Sequence, residues 1–275
     1  MAKPHAGALE LAGEGRATWS VLIRDLRSKT DIVGVTPGRV LPTASVAKIF
    51  LLVEVAYRLH SGDLTPEEPL HRSVSPAVAD SGLWQHLSVD SLTVADAATL
   101  VASVNDNLAT NVLLARVGLH AVQERSERLG ARRTALLDIV RDHRGPRDPV
   151  TLSVGSAREW VDILEGIWAG HDMSPSVRRQ LLRWLSLNTD TSMVAEPLGV
   201  DPLSHPGADH GVRLWNKTGS ESGTRADVGI VGGRTDLAYA VIARWDEAAD
   251  PTARHVVRAD LHRIGEAVAR LAGAD

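Results

Sequence analysis

Ser45-Val46-Ala47-Lys48 sets a hydroxyl and an amine three residues apart at the start of an apolar run. On a helix that spacing brings both heads to one face, one turn apart. A serine hydroxyl is a weak nucleophile until a base takes its proton, and a lysine acts as that base only where burial or a neighbouring positive field lowers its pKa. A buried helix N-terminus offers both, since its partial positive charge disfavours the ammonium and favours an oxyanion. The pair therefore has the chemistry of a nucleophile beside its base. The competing structural reading makes Ser45 a helix cap.

Lys217-Thr218-Gly219, followed by Ser220, is a second group with complementary chemistry. A lysine at a strand edge brings positive charge, a hydroxyl binds a carboxylate, and a glycine lets the chain pass close to a ligand. The alternative is a surface lysine before a turn. Asn105-Asp106-Asn107 lies between two helical patterns, where Asp106 reads as a cap and Asn107 offers an amide to a substrate carbonyl. Trp84 falls on a loop expected to face the same site, either as a substrate wall or as a partly buried aromatic.

The elements that must hold these groups follow from periodicity. Residues 17–24 and 31–35 are β-rich and form an expected antiparallel pair, the second broken by Thr36-Pro37-Gly38. Residues 45–59 are helical and almost wholly apolar, as in a helix buried on most sides. Helical spacing returns over 94–104, 109–116, 120–129, 156–168 and 176–187, and residues 138–149 form a loop. Runs 212–216, 227–231 and 237–245 read as strands, with a terminal amphipathic helix over 253–271. Strands at both ends with helices between predict an α/β chain of the α+β kind, its antiparallel sheet assembled from the two termini. The expected division is a sheet domain of residues 1–42 and 205–275 and a mainly helical domain of 43–204.

Ser-x-x-Lys, Asn-Asp-Asn and Lys-Thr-Gly, in this order, resemble the motifs of the class A β-lactamases and related penicillin-binding enzymes, and the likeness in element order covers nearly the whole chain. The resemblance implies a β-lactamase-like fold. It implies Ser45 as the acylated nucleophile, Lys48 as its base, Asn107 as a ligand to the substrate amide, and Lys217 with Thr218 as the carboxylate site. Backbone N–H groups of Ser45 and Ser220 would form the oxyanion hole. Arg225, after Ser222-Gly223-Thr224, falls where many class A enzymes keep a second carboxylate-binding arginine.

Departures from the family pattern bear on the chemistry. Asn105 replaces the serine that relays a proton to the leaving nitrogen, and a carboxamide is neither acid nor base at neutral pH. The family's loop glutamate, which activates the deacylating water, is missing: no glutamate occurs between Glu127 and Glu159. The loop acids Asp138 and Asp142, the latter beside His143, are the candidate substitutes, with Asp142 taken as the catalytic one. Glu221 stands where the family usually has glycine and would narrow or acidify the mouth.

Composition sets the outer bounds. Thirty basic against 34 acidic residues, a net charge of -4, give no basic surface for nucleic acid. Zero cysteines exclude disulfides and thiolate chemistry, and the 11 histidines lack ligand spacing, so no metal and no cofactor is expected. Met1–Gly7 opens no signal-like apolar stretch, and no run approaches the ~20 residues that cross a bilayer; a cytoplasmic protein without a membrane partner is expected. The oligomeric state is not legible. The function expected is acyl transfer from an amide, lactam or ester through Ser45, with weak β-lactam turnover. The alternatives are a penicillin-binding or sensor-like protein that hardly deacylates, a transacylase of small-molecule metabolism, and a partner-binding relic of the fold. The partner in the first reading is a small-molecule acyl substrate.

Overall fold

Alternation along the strands explains the layers. Along residues 237–243, Ala238, Ala240 and Ile242 enter one hydrophobic cluster, whereas Leu237, Tyr239, Val241 and Ala243 enter another. Successive strand side chains point to opposite faces, so a continuous apolar run here is a strand covered on both sides. The computed structural model describes residues 11–13, 15–75, 78, 81–203, 207–209 and 211–274; the opening Met1–Gly7 lies outside them.

In chain order the elements are β1 (Thr18–Asp25), β2 (Thr30–Val35), β3 (Leu41–Pro42), α1 (Lys48–Ser61), β4 (Pro69–His71), β5 (Ser91–Thr93), α2 (Val94–Val104), α3 (Asn107–Val117) and α4 (Leu119–Arg128). They continue with β6 (Ala135–Leu136), β7 (Ser153–Gly155), α5 (Ala157–Ala169), α6 (Pro175–Leu185), β8 (Arg213–Glu221), β9 (Thr224–Gly232), β10 (Leu237–Arg244) and α7 (Ala253–Ala272). The main sheet has the order β2-β1-β10-β9-β8 with antiparallel neighbours, so both ends of the chain build it and β8 is an edge strand. One face is covered by α7; the other meets the cluster that includes α1 and α5, where Phe50 stacks on Trp160 with ring centroids 4.9 Å apart.

Helix starts follow local chemistry. Ser156 accepts from the N–H of Glu159, the residue types of a capping box, and Ser174 accepts from Val177 N with Pro175 at the first helical position. The strand and helix patterns of the sequence recur with shifts of a few residues at their ends. Two differences matter for the site. Ser45 belongs to a short 3₁₀ turn, Ala44–Ala47, ahead of α1, rather than to the helix itself. Lys217-Thr218-Gly219 lies inside β8, not after it, because strand pairing with β9 continues to Glu221 and the hairpin turns at Ser222-Gly223.

The apolar helix α1 carries one buried acid, Glu54, at 5% exposure. Its carboxylate accepts from Arg58 Nε at 2.7 Å and from Arg125 Nε at 2.8 Å, tying α1 to α4. Removing the shared anion strands two half-buried guanidinium groups. Glu54→Ala is therefore expected to destabilise the protein by about 3 kcal/mol, the low end for a broken buried pair, read by urea or thermal unfolding. A change within measurement error would show that solvent replaces the carboxylate.

Candidate active site

The turn that carries Ser45 is held in a conformation that an L-residue rarely adopts. Ala44 has φ +47°, strain of roughly 1–2 kcal/mol. Ser153, from β7, donates to Ala44 O at 2.7 Å, and its hydroxyl lies 2.6 Å from that of Thr43. Strand β8 then approaches the turn at Gly219. A Cβ there would overlap Thr43 O and lie 2.9 Å from Ser45 N, so only glycine permits this approach.

Lys48, one turn on from Ser45, is fully buried. Its Nζ donates to the backbone oxygen of Asn105 at 2.7 Å and to Asn107 Oδ1 at 2.8 Å. Both acceptors belong to the turn between α2 and α3. Asn105 ends α2 with φ +59°, a conformation asparagine tolerates better than most residues. Asp106 fixes the turn: its Oδ1 caps α3 by accepting from Ala109 N, and its Oδ2 accepts from Leu83 N and Trp84 N at 2.7 and 2.8 Å. Gly82, with φ +123°, lets that segment come so close that any Cβ would strike the Asp106 carboxyl.

Lys217 is also fully buried, and donates to Asn105 Oδ1 and to Thr218 O at 3.2 Å. Burial pushes its pKa down to about 7, while Asp190 and Asp227 pull it upward. Asp227, on β9, is pushed up to about 7 by burial, against hydrogen bonds from Asn216 Nδ2, Tyr239 Oη and Val194 N. Two lysines therefore converge on one residue, Asn105, through its main-chain and side-chain oxygens.

A cavity of about 650 Å³ opens above these groups, with Ser45, Asn105, Asn107, Asp142, Ser220 and Glu221 among its walls. A larger hollow of about 770 Å³, beside Trp19 and Trp245, contains neither Ser45 nor either lysine. The loop wall of the site comes from residues 140–144. Asn111 pins it, since its Nδ2 donates to Val140 O at 2.9 Å and its Oδ1 accepts from Val140 N at 2.8 Å. Val140, an apolar residue, therefore faces the cavity at the pinned position. Glu221 lines the mouth and accepts from Thr151 Oγ1 at 3.3 Å.

The structure corrects several sequence expectations. Trp84 forms no substrate wall: it is fully buried, its backbone N–H is held by Asp106, and its indole donates to Val89 O at 3.2 Å. Asp138 is a structural ion pair. Burial acts to raise its pKa, but hydrogen bonds from Arg141 and Arg144 outweigh that and lower it, which suits a base poorly. Lys217 and Thr218 lie beneath Asn105, whose Nδ2 is 3.4 Å from Thr218 Oγ1, and neither is exposed. Arg225 sits across the strand pair from Ser220 and donates to Glu221 O and Thr224 O. It faces a smaller recess shared with Ser192, Met193, Ser220 and Arg258, outside the Ser45 cavity.

Sequence reasoning missed Asp190, Asn111 and Val140. Asp190 lines the Ser45 cavity from the segment after α6 and lies in the field of both Lys217 and Arg225. Nothing in Asn188-Thr189-Asp190 marks it, whereas Asn111, four residues after Asn107, continues the run of asparagines that begins at Asn105 and offered a signal.

Known proteins resemble this chain over most of its length. The profile of the beta-lactamase enzyme family matches residues 7–270. The beta-lactamase regulatory protein BlaB of Streptomyces cacaoi is 24% identical over 264 residues, covering 79% of this chain and 81% of its own. A beta-lactamase from Sphaerobacter thermophilus superposes with a TM-score of 0.81 at 22% identity, over 95% of this chain and 94% of its own. PBP-A, solved in one mutant as an acyl-enzyme complex with penicillin G, superposes at 0.76 and 20% identity, over 94% and 93%.

The environment of Lys217 yields a direct test. A lysine is charged below its pKa, so its ammonium should be lost as the pH rises through about 7. Unfolded lysine keeps its proton to ~10.4, so this group makes the fold more stable as pH climbs between those values. A carbon NMR titration of the Lys217 side chain checks this; a midpoint near the unfolded value would mean that Asp190 and Asp227 outweigh burial.

Proposed function

Because the chain belongs to the beta-lactamase enzyme family, we propose that it is a serine hydrolase that forms an acyl-Ser45 intermediate and releases it slowly. The observation that carries this reading is the buried amine of Lys48, bonded to Asn105 O and Asn107 Oδ1 one turn from Ser45 at the cavity wall. The two carbonyl oxygens take two hydrogens of the amine, and its lone pair takes the hydroxyl proton of Ser45 as the oxygen attacks the acyl carbon. The negative oxygen of the tetrahedral intermediate is stabilised by the N–H groups of Ser45 and Ser220, brought together where Gly219 allows contact. Asn107 orients the substrate amide; Lys217, buried beneath Asn105, acts on the cavity through its field alone, and Arg225 adds field from beyond Ser220.

Release of the acyl group needs a base for water, and such help is worth roughly 10²–10⁴ in rate. The pinned loop position carries Val140, and Asp138 is held by two arginines. We assign the residual base role to Asp142, the loop carboxylate on the cavity wall. A second reading, a sensor that keeps its acyl group, is supported by that weak deacylation machinery and by the likeness to a protein named as a regulator.

Incubation with a fluorescent penicillin, followed by intact mass over time, tests the proposal. The expected outcome is a Ser45 adduct that decays slowly with release of hydrolysed product; an adduct that never decays favours the sensor. Ser45→Ala should abolish labelling with little change in stability, and an adduct on that variant would place the nucleophile elsewhere. Asp142→Asn should slow decay further, while Val140→Glu, which sets a carboxylate on the cavity wall, should shorten adduct lifetime by about tenfold or more. Unchanged lifetimes in both variants would remove the loop from deacylation.

A further inference from the structure

The hollow of about 770 Å³ beside Trp19 and Trp245 lies apart from Ser45, and the reaction makes no use of it. Its volume falls within the roughly 300–1,000 Å³ of small-molecule pockets. Among the described residues its walls carry three arginines, Arg16, Arg39 and Arg244, against one acid, Asp246. Arg16 is matched by Asp250, to which it donates from Nε and Nη2. Asp246 Oδ1 accepts from the N–H groups of Ala248 and Ala249. Arg39 is exposed, and its guanidinium meets no acceptor among the described residues.

Arg244, half-buried, is engaged through one nitrogen. Its Nη1 donates to Ser222 O at 2.8 Å and to Thr224 Oγ1 at 3.1 Å. Nε and Nη2 make no hydrogen bond among the described residues. Those two nitrogens form the edge of the fork that matches a carboxylate or phosphate with parallel bonds.

Arg244 also joins the hollow to the Ser45 cavity. Thr18, Arg244, Thr224 and Glu221 stand opposite one another in a single row across β1, β10, β9 and β8. Thr18 and Arg244 line the hollow, and Glu221 lines the Ser45 cavity. Three strand spacings of about 4.8 Å, roughly 14 Å in all, separate the two walls. Arg244 packs on the hairpin turn itself, since a Cβ on Gly223 would strike Trp245 O and lie 2.8 Å from Arg244 Nη1. The hairpin that Arg244 grips is the one that carries Ser220 and Glu221.

We infer that this hollow is a second binding site, for a small organic anion held by Arg39 and Arg244, and that its occupancy steadies the β8–β9 hairpin. A carboxylate or phosphate supplies the acceptors that Arg39 and the Nε and Nη2 of Arg244 lack. An anion bound to Arg244 fixes the guanidinium whose Nη1 holds Ser222 and Thr224, so the turn loses freedom. The consequence for acylation rests on the reading of Ser45 as nucleophile and Ser220 N–H as an oxyanion donor: a steadier hairpin keeps that donor in place.

Titration with benzoate and with phenyl phosphate, followed by calorimetry and by the NMR shifts of the Trp19 and Trp245 indole N–H groups, tests the site, with benzamide as the neutral control. Both anions should bind saturably, the tighter one naming the head group, and benzamide should bind at least about tenfold more weakly, the cost of one charge-assisted hydrogen bond. Arg39→Gln, a change at an exposed position, should weaken anion binding by at least about tenfold and leave basal labelling of Ser45 by fluorescent penicillin unchanged. In the wild type a saturating anion should speed that labelling by about fivefold, the low end of coupling between sites, and Arg39→Gln should remove the gain. Benzamide binding as tightly as benzoate, or anion binding that survives both Arg39→Gln and Arg244→Gln, overturns the site. Binding that leaves labelling unchanged or slows it overturns the coupling to the hairpin. If penicillin never labels Ser45, the nucleophile reading fails, while the titration still decides whether the hollow is a site.

Discussion

The carboxylate of Asp106 gathers three backbone N–H groups in a place almost sealed from water, and this shapes the rest of the site. One of those groups begins α3, and the other two belong to the segment that Gly82 brings against it. Charge-assisted bonds of this kind are each worth roughly 1.5–3 kcal/mol when buried, so the turn they close has little freedom. That turn offers three oxygens, from the main chain of Asn105 and the side chains of Asn105 and Asn107, in the directions from which Lys48 and Lys217 arrive. Without it both amines would be buried with no acceptor on this side.

Burying two lysines in one small region is expensive, and the structure meets the cost differently for each. Lys48 reaches neutral carbonyl oxygens. Lys217 has a similar neutral partner but also lies in the field of Asp190 and Asp227, which partly offsets the burial that drives its pKa down. Asp227 is itself driven upward by burial, so the proton count below β8 is poised near neutrality.

Membership of the family and the side chains of the candidate site rest on different residues. The sheet order, the close approach of β8 at Gly219 and the loop pinned by Asn111 are properties of the scaffold. The candidate groups at Asn105 and on the loop are a few side chains laid upon it. Fold and reaction are separable for this reason.

The sequence alone determined the pairing of Ser45 with an amine one turn on, the order of the motifs and the assembly of one sheet from two chain ends, because spacing and apolar period are local properties. Helix α2 is legible to its last residue since a capping threonine and a left-handed asparagine bound it. Tertiary structure decided what local pattern does not encode. Trp84, by sequence either a wall of the site or a partly buried aromatic, is core, because Asp106, distant in sequence, draws its backbone inward. Asp138 and Asp142 look alike in the chain, yet two arginines fold back on the first and only the second lines the cavity. Asp190 has no motif at all; it enters the site because the segment after α6 passes beside the edge strand, and the field of a charge depends on distance in space rather than along the chain.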